Sequence, residues 1–363
     1  MSRIRTVVVG AGHLGKFHAS KLKSLPEFDL LGIVDPSEQA RAVAAEQFAV
    51  PTTADHREWL GKVDAVVVAS PTTYHRRVTS EFLETGAHAL VEKPLTSTAA
   101  EAEELVECAL LRRRVLQVGH VERFNPAFEA VRPLCAAPSY IECLREGPFS
   151  FRSTDIGAVL DLMIHDIDLT LALAGSPLIG VEAVGQSILG KREDIVHARL
   201  QFADGCTAQL HASRAAPSAS RTLKIQTTER LVAVDLNART ATITHLDPRL
   251  VRGEVDVEKL DAAAKLKMKE SLPTEWLRVE KTEVPARDAL TVQLQDFAEA
   301  IRTGRRPRVS GVDGLEAIRV AERILEALHR GEERPTRETP RPAILPGPHW
   351  HRTGVDAGLR DAG

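Results

Sequence analysis

Short apolar runs alternate with amphipathic stretches through the first third of the chain. The runs Ile4 to Val9, Phe28 to Val34, Val63 to Ala69, His88 to Val91 and Val115 to Val118 read as strands. They hold few polar residues, as expected of parallel strands covered on both faces. Helical stretches fall between them, at about Lys16 to Leu25, Ser37 to Phe48, Thr73 to Thr85 and Ser97 to Leu111. Ser97 or Thr98 is placed to cap the last of these, Gly86 ends the third, and His56 to Leu60 reads as a short helical turn. This alternation predicts a doubly wound parallel sheet over residues 1–120.

After Pro126 the pattern changes. Strand candidates follow one another at Ser139 to Leu144, Val181 to Ser187, Ile195 to Phe202, Cys206 to Ser213, Leu223 to Thr227, Leu231 to Asp235 and Thr240 to Thr244. Asp204-Gly205 is a hairpin signal between two of them, so the meander is expected to be mostly antiparallel. Helical patterns cover Gly157 to Ala174, Asp288 to Thr303 and Val312 to Arg330. The charge-rich stretch Arg249 to Glu270 reads as an excursion or edge segment. From Glu333 onward Pro, Gly and Arg dominate without periodicity, which reads as a loosely ordered tail over 333–363. Residues 121–332 then form a second domain, of α+β character.

The 363 residues are 43% hydrophobic, enough for sizeable cores, and a formal charge of −3 gives no basic field for nucleic acid. None of the four cysteines forms a C-x-x-C pair, which suggests neither a zinc site nor a disulfide framework. The first strand begins almost at once, leaving no room for a signal peptide, and no apolar run reaches the roughly 18 residues of a membrane span. A cytoplasmic protein with reduced thiols, and with no membrane partner, is the expectation.

The chemistry begins at Gly10-Ala11-Gly12-His13-Leu14-Gly15, between a strand and a helix. Gly10 permits the tight turn, Gly12 lets a pyrophosphate approach the backbone, and Gly15 allows close packing of helix on strand. The helix N-terminus then offers N–H groups and a positive dipole end to phosphates. Asp35 ends the second strand about twenty residues further on. There a carboxylate can accept the ribose hydroxyls of NAD and would repel the 2′-phosphate of NADP. No Arg adjoins Pro36 and Ser37 to hold that phosphate. Together these features predict a Rossmann domain with NAD as cofactor. Taken alone, the same residues would make an ordinary tight turn and a surface Asp.

Two loops leave strand ends on the side where ligands bind in such sheets: Ser70-Pro71-Thr72-Thr73-Tyr74-His75 and Glu92-Lys93-Pro94. By themselves Glu92 and Lys93 would more often be a surface ion pair. In the helix over 157–174, Asp161, His165 and Asp168 share one face, so Asp161 is expected one turn from His165 and able to orient its imidazole. A metal held by His165, Asp166 and Asp168 is a weaker reading, because no second ligand cluster accompanies them; no metal is expected.

Four stretches, GAGHLG at 10–15, SPTTYH at 70–75, EKP at 92–94 and GAVLDLMIHDID at 157–168, resemble the family of glucose-fructose oxidoreductase, inositol 2-dehydrogenase and MocA. The resemblance implies an N-terminal Rossmann domain, a C-terminal domain on a large open, mostly antiparallel sheet, and NAD(P)-dependent oxidation or reduction of a sugar or cyclitol carbon. It implies catalytic roles for Lys93, Asp161 and His165. It also puts Gly10, Gly12, His13, Leu14, Asp35, Ser70, Pro71, Thr72, His75, Glu92 and Lys93 along the cofactor. Whether Lys93 or His165 is the base stays open.

The segment Gly119-His120-Val121-Glu122-Arg123-Phe124-Asn125-Pro126 is similar to one in UDP-N-acetylglucosamine 3-dehydrogenases and related nucleotide-sugar dehydrogenases. On that reading the substrate is a UDP-sugar oxidised at C3. Arg123, Arg152 and Arg214 are the expected diphosphate ligands, because planar guanidinium groups bind phosphate oxygens in bidentate fashion. Asn125 is expected on a sugar hydroxyl or amide, or else capping the turn before Pro126. A cyclitol or free-sugar dehydrogenase and a non-catalytic NAD sensor are the alternatives. An open sheet face needs covering, so a homodimer or homotetramer is expected.

Overall fold

The computed structural model describes residues 2–151 and 156–332, with the side chains of 331 and 332 left aside. Arg152 and the tail at 333–363, both singled out from sequence, lie outside the described residues.

Six strands, β1 (Ile4–Val9), β2 (Phe28–Val34), β3 (Thr52–Thr53), β4 (Ala65–Val68), β5 (His88–Glu92) and β6 (Leu116–Gly119), form one sheet in the order β3-β2-β1-β4-β5-β6. Every pairing within it is parallel. Helices α1 (His13–Ser24), α2 (Glu38–Phe48), α3 (Thr72–Glu84) and α4 (Ala99–Arg112) make the crossovers. Strand β4 is buried at every position, as its unbroken apolar run requires. Chain order reverses between β1 and β4, which opens a crevice at their carboxyl ends.

The short helix α5 (Pro126–Val131) leads into β7 (Tyr140–Glu146) and then, through a π-helical turn at Val159–Met163, into α6 (Ile164–Ala174). Strands β8 (Leu178–Gln186), β9 (Ile195–Phe202), β10 (Thr207–Ser213), β11 (Ser220–Gln226), β12 (Arg230–Asp235) and β13 (Thr240–Leu246) follow. Past two short helices, α7 (Pro248–Val251) and α8 (Ala262–Ser271), β14 (Leu277–Thr282) completes an eight-stranded sheet in the order β14-β13-β12-β11-β7-β10-β9-β8. All its pairings are antiparallel except β7 with β10. Sequence periodicity misses β14 because its residues are mostly exposed, so no face of it alternates.

Alternation along β7 buries Ile141, Cys143 and Arg145 and leaves Glu142, Leu144 and Glu146 on the outer face. Helix α6 covers the buried face, where the Cys143 thiol lies 3.8 Å from the Thr170 hydroxyl. Two final helices, α9 (Ala289–Thr303) and α10 (Gly311–Glu332), turn back to the first sheet. Leu294 and Phe297 of α9 share a core with Ile4, Val8 and Phe28, and Ile318 of α10 joins one with Leu95 and Leu105. The chain between them extends the sheet edge, with Val118 N–H donating to Val309 O at 2.9 Å. No described helix is long and apolar enough to cross a membrane.

Candidate active site

The crevice at the ends of β1, β2 and β4 has a volume of about 570 Å³ and is lined in part by Gly10, Asp35, Ser70 and Pro71. Gly10 has a φ of +106°, open to glycine but strained for other residues, and a Cβ there would collide with the Ala69 carbonyl. A Cβ on Gly15 would overlap the Gly10 carbonyl oxygen, so helix and strand touch at that point. Gly12 is different, with nothing within 4 Å of where its Cβ would stand. It is the N-cap of α1, has no side-chain cap, and is followed by a first turn without acidic residues. Backbone donors are thus left open at the positive end of a helix, as a pyrophosphate requires.

Asp35 is held by N–H donors from Ala11 at 2.7 Å and Ser37 at 2.9 Å. Arg41, which local sequence did not flag, lies close by but donates to the carbonyl oxygens of Asp35 and Pro36 at 2.8 and 2.9 Å. The buried Ser70 hydroxyl has no protein partner in the described structure, leaving it to a ligand. These residues fit a dinucleotide. His13 and Leu14 are exposed at the start of α1, where His13 packs edge-on against Phe17 at 4.7 Å. Thr72 is buried at the start of α3. Tyr74 of the loop noted from sequence also lines the crevice, as do Asp55, Arg57 and Arg77, which nothing local distinguishes from surface residues.

Two residues expected along the cofactor, His75 and Glu92, have protein partners for their side chains. The buried His75 ring nitrogens face Pro94 O at 2.9 Å and Ser70 O at 2.8 Å, so His75 laces the two loops together. Burial pushes its pKa down, and a neutral ring can donate to only one carbonyl at a time. Glu92 is also buried; its carboxylate meets His18 Nε2 at 2.6 Å and accepts from Lys93 N–H at 3.3 Å. Burial opposes its charge, but His18 and Lys93 outweigh that and hold it below the usual carboxylate range. Both side chains turn inward because the loops they belong to have to be tied to the layer beneath.

Lys93, at the end of β5, reaches the second domain. Its Nζ donates to Asp161 O at 2.6 Å and Asp161 Oδ1 at 3.0 Å. The expected pairing of Asp161 with His165 is therefore not formed, and His165 Nδ1 is buried without a partner. The physical reason is the π-helical turn over Val159–Met163. Its i→i+5 hydrogen bonding takes residues four apart out of line. Lys93, Asp161 and His165 nonetheless come together, with His120 packed edge-on to His165 at 6.2 Å between ring centroids. The His165 imidazole is held well below its ordinary pKa, first by burial, then by the charges of Lys93 and Arg145 and by His120 and Arg221. Burial likewise lowers His120.

Three of the residues expected on the substrate, Arg123, Asn125 and Arg214, are also engaged by protein groups. Arg123 makes a bidentate pair with Asp168, at 2.8 and 3.0 Å, which ties the segment after β6 to α6. Asn125 donates to Glu122 and to Leu236 O, at 2.9 and 3.0 Å, and caps α5 by accepting from Ala127 N–H at 3.1 Å. Arg214 donates to Asp194 at 2.6 Å and to Ile156 O at 2.9 Å. Asn125 and Arg214 are buried and Arg123 is partly so, its Asp168 partner fully buried, where leaving such groups unpaired would be costly. Arg145 does similar work unnoticed by sequence reading, pairing Asp166 at 3.0 and 2.8 Å and Glu122 at 3.0 Å. Asp166 and Asp168 are thus engaged by arginines, and no metal-binding cluster occurs among the described residues.

An open helix N-terminus over a parallel sheet, an acidic residue ending β2, and a lysine–histidine pair where two domains meet define a dinucleotide-dependent dehydrogenase. The chain belongs to the glucose-fructose oxidoreductase, inositol 2-dehydrogenase and MocA family. Residues 4–120 match its model for the oxidoreductase NAD-binding Rossmann fold, and residues 150–334 match that for its C-terminal alpha/beta domain. The chain is 33% identical to the UDP-N-acetylglucosamine 3-dehydrogenase of Acidithiobacillus ferrooxidans, over 90% of this chain and 98% of that one. A solved structure of a UDP-N-acetylglucosamine 3-dehydrogenase from that organism aligns with a TM-score of 0.79 at 32% identity, covering 91% and 99% of the two chains. The scyllo-inositol 2-dehydrogenase (NAD(+)) of Bacillus subtilis is 26% identical over 88% of this chain and 92% of that one. The protein is an NAD-dependent sugar dehydrogenase.

Proposed function

We propose that the protein oxidises a secondary hydroxyl of a nucleotide sugar, UDP-N-acetylglucosamine at C3, to the 3-keto sugar. The observation that carries this is the 33% identity to the Acidithiobacillus ferrooxidans enzyme along 98% of its length. NAD, when bound, supplies the acceptor for the hydride that leaves the sugar carbon. His165 takes the proton from the hydroxyl on that carbon, since burial and nearby cations keep its imidazole neutral. Lys93 keeps a third N–H free beyond its two bonds to Asp161, and with it stabilises negative charge developing on the substrate oxygen. Asp161 positions Lys93 by fixing its Nζ from both main chain and side chain. His165 is thus the base and Lys93 the electrostatic partner.

The outer face of the eight-stranded sheet, with Ile179, Val184, Leu231 and Val279 exposed, is the surface on which a second copy would dock. The free thiols of Cys108, Cys135, Cys143 and Cys206 suit a reducing, cytoplasmic setting. A screen that follows NADH absorbance, with UDP-sugars beside free sugars and inositols, tests the substrate. UDP-N-acetylglucosamine is expected to give the highest kcat/KM. Equal or better turnover of scyllo-inositol or free N-acetylglucosamine refutes the assignment in favour of a cyclitol or free-sugar dehydrogenase, and no turnover of any of them favours a sensor.

A further inference from the structure

Four arginines surround the helix that carries His165, and they differ in what remains of their hydrogen-bonding capacity. Arg145 and Arg214 are buried, Arg123 is partly buried, and all three are held by carboxylates at hydrogen-bond distance. Arg221 is not. It stands at the start of β11, directly opposite Arg145 of β7 in the antiparallel register. Opposed residues share a sheet face, so Arg221 lies on the face that α6 covers. Its side chain is 47% exposed, and its nearest carboxylate oxygen among the described residues, on Glu122, is 3.7 Å away. That is too far for a hydrogen bond. Glu122 is already satisfied by Arg145 at 3.0 Å and Asn125 at 2.9 Å. The guanidinium fork of Arg221 is therefore open, on the side of the catalytic helix.

We propose that Arg221 binds the phosphoryl group of the substrate and sets the preference for phosphorylated over neutral sugars. The assignment rests on the nucleotide-sugar reading above. An exposed arginine with a free fork can engage phosphate oxygens in bidentate fashion, which the three hydrogen-bonded arginines cannot do without leaving a carboxylate unpaired. It also links binding to chemistry. The groups whose charge reaches His165 are Lys93, Arg145, His120 and Arg221, each of which disfavours its protonated form. The carboxylates next to it on its own helical stretch are taken, Asp161 by Lys93 and Asp166 by Arg145. Arg221 is the member of the set that an incoming anion can neutralise. Docking of a phosphoryl group offsets its field at His165, so the base gains strength when a charged substrate is in place.

The test uses NAD-loaded enzyme, with UDP as the binding probe in calorimetry and UDP-N-acetylglucosamine in kinetics. Arg221→Gln is expected to weaken UDP binding about ten-fold or more and to raise KM for the UDP-sugar similarly, with Arg221→Lys between. NAD affinity and thermal midpoint should hold. The acidic limb of the kcat/KM profile should move to higher pH in Arg221→Gln, because a cation opposing protonation of His165 is gone. A purely structural role would not shift that limb. Failure of UDP to bind the wild type, or equal binding to Arg221→Gln, overturns the assignment even if UDP-N-acetylglucosamine is oxidised. So does loss of binding in both variants together with a lowered thermal midpoint. Stronger competition by free glucuronate than by UDP transfers the site to a sugar carboxylate and overturns the phosphoryl assignment. If UDP binds through Arg221 but no UDP-sugar is oxidised, the substrate reading fails and Arg221 stands.

Discussion

Two segments rise from the same edge of the parallel sheet, and they use their residues in opposite ways. The turn after β1, Gly10 to Gly15, has no polar side chain tied to the protein; it works by leaving backbone N–H groups open at an uncapped helix end. The segment after β6, Gly119 to Pro126, is dense in polar side chains, and Glu122, Arg123 and Asn125 are all spent on partners in the second domain. The first segment is a receptor, the second a clasp. A residue suited to binding phosphate says little until its partners are known, because a guanidinium fork suits a carboxylate as well.

The largest effect tests what the clasp holds in place. Lys93→Met and His165→Ala are each expected to lower kcat about 10²–10⁴-fold while NAD binds as before in calorimetry. Near-normal turnover in either would remove that residue from the mechanism. Asp161→Asn should lose less, since it acts through Lys93.

Next comes the clasp itself. Arg123→Ala leaves the Asp168 carboxylate, 1% exposed, without its partner. The expected cost is about 3–5 kcal/mol of stability, read from the urea midpoint. A raised KM for the sugar with an unchanged urea midpoint would make Arg123 a ligand after all and erase the contrast between the two segments.

Acid should loosen both regions. His75, His88, His120 and His165 all have pKa values lowered chiefly by burial. The unfolded chain then binds protons near pH 6.5 that the folded chain does not, so stability rises with pH. It is fully present above about pH 6.5 and is lost as pH falls, by up to about 1.4 kcal/mol per histidine for each unit. Melting curves at pH 7.5 and 5.5 check this, and a higher midpoint at the lower pH would contradict it.

The smallest effect belongs to the receptor. Asp35→Asn should weaken NAD by about ten-fold, the worth of a charge-assisted hydrogen bond, and narrow the preference over NADP. Unchanged NAD affinity would take Asp35 out of the ribose contact.

Legibility followed the range of the interaction. The turn at Gly10, Gly12 and Gly15 and the acidic end of β2 at Asp35 were readable because their backbone setting is defined within one strand–turn–helix unit and the strand that follows it. The helix bearing Asp161 and His165 was readable as a helix, but its π-helical turn was not, and that turn redirected Asp161 to Lys93. His120 was inside a noticed segment yet gave no signal of its own, and Arg221 fell before the strand expected at Leu223, where nothing local marked it.

By itself, then, the sequence determined the strand–helix alternation, the switch to a meander, the glycine turn and the acidic end of β2. Each follows from apolar periodicity or from backbone freedom, which neighbouring residues settle among themselves. Tertiary structure alone decided which charged groups are closed and which are open. The pairs Arg123–Asp168, Arg145–Asp166, Lys93–Asp161 and Arg214–Asp194 join residues from different elements. A buried charge takes whichever opposite charge the packing brings within reach, and no local pattern encodes that choice.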